Sequence, residues 1–358
     1  MLVWVKRMVK NKEIGVAPKV VKKPARSYSV RRVIVWCIVA LFGVGAAVFL
    51  FLNYPARPVN GPVTFGVTFS PYYQEQFGVD WREAYTSILD DLKVRNFRLS
   101  AYWNHTESAD DVFDFSDIDF ELNEAARRDA HVLLAVGRKL PRWPECHDPL
   151  WLDGKSRDEI EKQLLVYVDT VVQRYKDHPA ITRWQVENEP FFPFGECKNK
   201  LGLSTLKKEV AIVRKYSSKP IVVTDSGEWS AWLPAAEQGD ILGISMYRES
   251  WNDILGHIPF PIGPGFYQKK SDLISPFQKD IIITELQTEP WGSRPIIEMT
   301  RQEMEDSMSI AKLNDNIVFA KKVGFPEVYL WGVEWWYWLK ESQDDSSFWD
   351  AGKELFRE

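Results

Sequence analysis

Short runs of β-branched and aromatic residues alternate along most of the chain with longer segments whose apolar residues recur at helical spacing. Runs of the first kind are typical of buried strands, and segments of the second kind are typical of amphipathic helices. Eight strand-like runs occur, and a segment long enough to hold a helix separates each run from the next. The predicted strands are 63–70, 97–103, 131–137, 181–187, 220–225, 241–247, 280–286 and 327–332.

The polar residues at the starts of two helical segments support this assignment. Asp80 is suited to cap the helix predicted over 80–94, and Ser156 and Glu159 have the spacing of a capping box at the start of 156–177. The remaining predicted helices are 117–129, 203–217, 230–238, 266–278 (a weak one), 301–324 and 346–358.

A strand followed by a helix, repeated eight times over residues 61–358, predicts a parallel sheet. Eight such units at this length fit a closed (β/α)8 TIM barrel. The alternative is an open, doubly wound sheet, which usually has a glycine-rich phosphate loop after its first strand. The segment that follows the first predicted strand, SPYYQEQFGVD at 70–80, is not such a loop. The pattern therefore favours the barrel.

An apolar run of twenty residues, 33–52, precedes the barrel and contains no charged side chain. A helix of this length spans the hydrocarbon core of a membrane, and the run is longer than the apolar region of a typical signal peptide. We predict a single-pass signal anchor at 33–52 after a basic cytoplasmic tail at 1–32. A linker at 53–61 and an extracytoplasmic body at 62–358 follow. A cleaved signal peptide is the main alternative, and a buried helix of a soluble protein is a weaker one.

The net charge of −5 divides unevenly between the tail and the body. Residues 1–32 contain ten Lys or Arg and one acid, so the tail carries +9 and the remainder carries −14. The positive-inside rule places such a tail in the cytoplasm. An acidic body is a poor partner for nucleic acid, and we expect no nucleic-acid binding.

Two of the three cysteines lie in the body, after the third and fourth predicted strands. Cys146 and Cys197 would therefore be on the same rim of the barrel, in a compartment where a disulfide persists. A bridge between them and a pair of free thiols are both open at this stage. Cys37 falls within the apolar run.

Polar and aromatic residues gather where the predicted strands end, which is where the active sites of such barrels lie. Glu189 ends the fourth strand and Glu285 ends the seventh. Two carboxyl groups facing one pocket are what glycoside hydrolysis requires, one protonated and one ionised. The alternative is that each acid is an ordinary salt-bridge partner at a strand end.

The stretch WQVENEP at 184–190 contains two candidate acids on the fourth strand. Glu187 and Glu189 have the same parity, so side-chain alternation does not distinguish them. Glu189 clears the strand end and precedes Pro190, which stops further pairing. We therefore predict that Glu189 is the catalytic acid and that Glu187 is a buried, hydrogen-bonded support.

The ordered set of these residues resembles the retaining glycoside hydrolases of clan A, whose barrels carry Asn-Glu-Pro at the end of the fourth strand. The resemblance covers most of 62–340 and leaves the exact family open, between family 5-like and family 39-like barrels. Unlike many cellulase-like members, GISMYRES at 243–250 has no histidine before the tyrosine. The roles implied by the resemblance are acid/base for Glu189, nucleophile for Glu285, 2-hydroxyl binding for Asn188, ionisation of the nucleophile by Arg98, a hydrogen bond to it from Tyr247, and a subsite floor at Trp331.

Other aromatic residues at strand ends are candidates for contacts with the apolar faces of sugars. Trp291 and Trp103 are the two that we add to the predicted substrate-binding set. The five histidines show no paired metal-binding spacing, so we expect no cofactor and no catalytic metal.

The sequence thus predicts a membrane-anchored, outward-facing retaining glycosidase that cleaves β-linked oligo- or polysaccharides. The same residues are compatible with a transglycosylase. A carbohydrate-binding barrel without activity at the cell surface is the alternative from a different class, and a pure binder has no need for both acids.

Overall fold

The computed structural model describes residues 30–59, 61–200, 202–252, 254–278 and 280–357. The described residues divide into two units, 30–48 and 49–357. Helix α1, Val30–Leu52, includes the predicted span and is long and apolar enough to cross a membrane. Its described side chains are largely exposed. Most of the predicted basic tail, 1–29, lies outside the described residues.

Eight parallel strands close into a barrel in which every strand pairs with its neighbours in sequence and β1 pairs with both β2 and β8. This arrangement confirms the predicted (β/α)8 architecture. The strands are β1 Thr64–Thr68, β2 Asn96–Ser100, β3 His131–Val136, β4 Ile181–Val186, β5 Ile221–Ser226, β6 Ile241–Met246, β7 Ile281–Gln287 and β8 Glu327–Trp331.

Helices cover the outside of the barrel, and Asp80 and Ser156 cap α3 and α6 as predicted. Two hairpins, 107–113 and 249–259, lie outside the barrel sheet. The helices are α2 Pro71–Gln76, α3 Trp81–Asp90, α4 Trp103–Thr106, α5 Ser116–Ala126, α6 Arg157–Tyr175, α7 Leu203–Tyr216, α8 Leu233–Ala236, α9 Pro264–Ile274, α10 Arg301–Ser307, α11 Ile310–Val323, α12 Val333–Ser342 and α13 Ser347–Leu355.

The helix predicted over 301–324 is two helices, α10 and α11. Met308 is extended, and the Ser309 side chain accepts a hydrogen bond from the backbone N–H of Lys312. A serine in this role starts a new helix because it satisfies a backbone donor that has no partner in the first turn. Helix α12 was not predicted.

The interior of the barrel changes from apolar to polar along the strands. Leu133, Val222, Ile282 and Tyr329 come from four strands and pack as one cluster. Alternate residues of a strand face the same side. The residue two positions after each member of this cluster, such as Thr224 after Val222, therefore continues the interior toward the carboxyl ends of the strands. The outward positions pack against the helices in the main core. This layering places the buried polar groups of the site near the carboxyl ends of the strands.

Candidate active site

Arg98 lies on β2 at the centre of the polar end of the barrel and is fully buried. Its Nη1 donates to Glu285 Oε1 at 2.7 Å, its Nη2 donates to Asn188 Oδ1 at 2.7 Å, and its Nε donates to Gln185 Oε1 at 2.8 Å. One guanidinium therefore joins β2, β4 and β7. Arg98 and Glu285 therefore form a buried ion pair that is also a charge-assisted hydrogen bond.

A bulge in β7 aims Glu285 at Arg98. Ile283 and Glu285 pair with consecutive residues of β6, so Thr284 is an extra residue in the strand. Such an insertion changes which side chains face inward. The second carboxylate oxygen of Glu285 accepts a hydrogen bond from Tyr247 Oη at 3.0 Å. Burial, together with the charge of Glu285, raises the pKa of Tyr247 well above its usual value, so the phenol remains a donor.

Glu189 lies just beyond β4, is buried, and is held by two neighbouring strands. Its Oε1 accepts a hydrogen bond from Ser245 Oγ at 2.6 Å, and its backbone N–H donates to Thr224 Oγ1 at 2.8 Å. Burial raises the pKa of Glu189 to about 8, and the negative charge of Glu285 acts in the same direction. Glu189 therefore keeps its proton at neutral pH, while Glu285 faces a guanidinium.

Asn188 connects this pair to a third carboxyl group that the sequence did not indicate. The amide nitrogen of Asn188 donates to Glu145 Oε2 at 3.1 Å, and its oxygen accepts from Arg98 and from Thr224. Burial raises the pKa of Glu145 to about 8, the charge of Lys139 opposes that shift, and the charge of Glu285 adds to it. An acid between Pro144 and Cys146, close after the third strand, was the available signal.

Glu187 supports the loop after β3, as predicted. Its two carboxylate oxygens accept the backbone N–H groups of Arg138 at 2.8 Å and Lys139 at 2.7 Å. Gly137 has φ +138°, and a Cβ there would lie 2.7 Å from Glu187 Oε1. The close approach of the carboxylate to this loop therefore requires glycine.

Four charged residues in the described loops after β3 and β4 have positive φ angles, a strained conformation that concentrates at functional sites. The spacing of these residues in the sequence does not predict this backbone conformation. They are Arg142 at 81°, Glu145 at 72°, Glu187 at 60° and Glu189 at 43°.

Trp331 ends β8, as expected, but its ring is not the open floor that the resemblance implied. The Arg142 guanidinium lies 4.0 Å from the ring centroid and covers that face. Arg142 is held there by buried hydrogen bonds to Glu289 and, at 2.8 Å, to Glu334. Arg142, which is paired with both buried carboxylates, therefore makes a cation–π contact with the ring on which a sugar was expected to stack.

Trp103 and Trp291, the other two predicted sugar contacts, differ in their exposure to solvent. Trp103 is fully buried, donates from Nε1 to Glu107 Oε2 at 2.7 Å, and stacks on Tyr167 with ring centroids 5.4 Å apart. Its assignment as a substrate contact is wrong because no surface of the ring is free. Trp291 is partly exposed and packs edge-on against Tyr247, with centroids 5.0 Å apart. It therefore lies beside the acid pair.

Cys146 and Cys197 form a disulfide, which resolves the alternative left open by the sequence. The bridge joins the loops after β3 and β4 on the rim around Glu145 and Glu189.

Among the described residues, a cluster of three carboxylates whose spacing could hold a cation lies elsewhere, on the hairpin after β2. Ligand atoms of Glu107, Asp110 and Asp111 are all within 4.8 Å of one another, and the two aspartates are exposed. Exposed acidic clusters of this kind are common without a metal, and this one does not include either acid of the central pair.

No family model matches the chain, and no curated protein matches its sequence. Solved structures do match its fold, at low sequence identity. A β-galactosidase from the haloarchaeon Halorubrum lacusprofundi aligns with TM-score 0.53 and 14% identity, covering 75% of this chain and 52% of that chain. An exo-β-1,4-mannosidase from Opitutaceae bacterium strain TAV5 aligns with TM-score 0.53 and 13% identity, covering 77% and 52%.

A GH5_18 protein from Streptomyces cattleya, solved in complex with GlcNAc, aligns with TM-score 0.51 and 12% identity, covering 76% of this chain and 71% of that chain. The chain spans about half the length of the β-galactosidases it matches. The chain has the (β/α)8 barrel fold that these glycoside hydrolases share.

Proposed function

We propose that the chain is a retaining glycoside hydrolase that cleaves β-glycosidic bonds by double displacement. The observation that carries this proposal is that two acids in one buried site have different surroundings. Glu285 accepts hydrogen bonds from Arg98 and Tyr247, whereas burial keeps Glu189 protonated. Retaining glycosidases need one ionised and one protonated carboxyl group.

In the first step, a Glu285 oxygen attacks the anomeric carbon and the bond to the leaving oxygen breaks. Glu189 gives its proton to that oxygen, so a glycosyl–enzyme ester and a carboxylate at Glu189 result. In the second step, Glu189 takes a proton from water as the water oxygen attacks the anomeric carbon. Glu285 leaves as a carboxylate and both acids return to their starting states.

Chemical rescue tests the assignment of Glu285. A Glu285→Ala variant should lose hydrolysis and regain turnover of an activated aryl β-glycoside when azide is added, giving the glycosyl azide of inverted configuration. Glu189→Ala is the matched control, because azide should then give the retained product. Full hydrolysis by Glu285→Ala without azide would contradict the proposal, as would a retained product from that variant.

The substrate that we propose is a β-linked oligo- or polysaccharide outside the cytoplasm. Helix α1 is apolar and exposed over most of its length. Ten basic residues lie within 1–32. By the positive-inside rule this order anchors the chain as a single-pass protein with its barrel outward.

A further inference from the structure

A row of aromatic rings leads from the acid pair to the surface. Tyr247 donates to Glu285, and Trp291 packs against Tyr247. Phe194 lies 6.2 Å from Trp291 between ring centroids, and Trp143 lies 5.9 Å from Phe194. The row therefore crosses the loops that follow β7, β4 and β3.

This row borders the side of the site where a leaving group departs. Phe194 belongs to the loop after β4 that contains Glu189, and the backbone N–H of Phe192 donates to the carbonyl oxygen of Glu189 at 3.0 Å. An acid that protonates a leaving oxygen must lie beside the leaving group. Residues that continue directly from Glu189 are therefore placed to contact it.

The two outer rings sit on loops that are tied together. The Cys146–Cys197 disulfide joins these loops, and the backbone N–H of Glu196 donates to the carbonyl oxygen of Pro144 at 3.0 Å. Trp143 and Phe194 are next to or near these ties in sequence. A ligand that binds them encounters surfaces already in position, so little ordering entropy opposes binding.

The exposure of the rings indicates which ligand they suit. Trp143 is 58% exposed and Phe194 is 37% exposed, so both rings are accessible to solvent rather than enclosed in the core. A sugar stacks its apolar C–H face on such a ring while its hydroxyl groups remain in water. A lipid tail would leave most of its surface wet there.

We propose that Trp143 and Phe194, together with Trp291, form a subsite for a sugar unit of the leaving group, so that the preferred substrate is an oligosaccharide or a polymer. This inference rests on the proposed glycosidase function. It places the rings on the leaving-group side of the cleaved bond, in a subsite that does not include either of the two acids.

The test measures the hydrolysis of two substrates by the full chain in detergent. One is a β-glycosyl fluoride, whose leaving group is a single atom, and the other is a β-linked oligosaccharide of the same sugar. For Trp143→Ala and Phe194→Ala, the ratio of kcat/KM on the oligosaccharide to kcat/KM on the fluoride should fall about tenfold. Phe277→Ala is the matched control, since Phe277 is also 58% exposed but precedes β7, at the opposite end of the barrel.

The other outcomes separate the subsite from the proposed function. An unchanged ratio overturns the subsite while hydrolysis by the unaltered chain leaves the function intact. A larger loss on an octyl β-glycoside than on the oligosaccharide overturns the sugar assignment. If the unaltered chain cleaves neither substrate, the proposed function fails. Calorimetric binding of the oligosaccharide to the same variants then decides the subsite, and equal affinity in all of them overturns it.

Discussion

The hydroxyl of Ser245 donates to the carboxyl group of Glu189 at 2.6 Å. The backbone of Ser245 is also the register partner of Glu285, so one residue of β6 links the two acids. A hydrogen bond donated to a carboxylate favours its charged form, and this one lowers the pKa of Glu189 against the effect of burial.

Removal of that hydroxyl should therefore raise the pKa of Glu189. In Ser245→Ala, the alkaline limb of the kcat/KM profile should move to higher pH than in the unaltered protein. Ser245→Thr keeps a hydroxyl and should restore the original position. A limb that moves to lower pH in Ser245→Ala would show that Ser245 does not stabilise the Glu189 carboxylate.

If the proposed function holds, the unaltered protein should lose activity as the pH rises through about 8. The pKa of Glu189 is raised to about 8, and its protonated form is the one that donates to the leaving oxygen. Activity is thus available below this pH and is lost above it. The pH profile of kcat/KM on an alkyl β-glycoside measures this limb. A glycosyl fluoride needs less protonation, so its limb should be weaker, and equal limbs would count against Glu189 as the acid.

Loss of Arg98 should affect both stability and activity. Arg98→Ala leaves the buried Glu285 charge without its partner, and breaking such a pair costs about 3–5 kcal/mol of unfolding free energy. Arg98→Lys keeps a charge but cannot satisfy Glu285, Asn188 and Gln185 together. Denaturant unfolding and kcat/KM should therefore rank Lys between Arg and Ala. Equal stability of Arg98→Ala and the unaltered protein would contradict a role in holding Glu285.

The disulfide should stabilise the barrel by an amount set by the loop it closes. Cys146 and Cys197 are 51 residues apart, which corresponds to about 3–4 kcal/mol in the chain-entropy model. The double Ser variant should show this loss in denaturant unfolding, whereas Cys37→Ser should leave barrel unfolding unchanged. Thiol titration of the denatured chain should find Cys37 alone without reductant. Three titratable thiols under that condition would contradict the bridge.

The proposed anchor makes a prediction about location. The full chain should sediment with membranes and resist carbonate extraction, whereas a fragment from residue 56 onward should be soluble and active. Protease added to intact cells should digest the barrel of the full chain. Protection of the barrel under those conditions, with digestion only after lysis, would show that the barrel faces inward.

Much of this architecture was predictable because it depends on local patterns. The β-branched run at 281–287 and the amphipathic segment at 157–175 reflect burial periods that a single segment reveals by itself. The parallel order of eight such units then places Glu189 and Glu285 at one end of a barrel without knowledge of any contact.

The contacts between distant loops were not predictable from those patterns. Glu145 meets Asn188 43 residues away in sequence, and Arg142 covers Trp331 nearly 190 residues away. The burial of Trp103 depends in the same way on α6, which supplies Tyr167. Each is a packing outcome between elements, and a sequence pattern within one element contains no record of it.

The sequence by itself determined the barrel and the strand ends that carry Glu189 and Glu285. Only the tertiary structure decided that a bulge at Thr284 turns Glu285 toward Arg98, that a third carboxyl group joins the site, and that the open aromatic surface is Trp143 and Phe194 rather than Trp331. The reason is physical. Hydrophobic periodicity fixes which elements form and how they pack, whereas the direction and exposure of each side chain depend on the neighbours it meets.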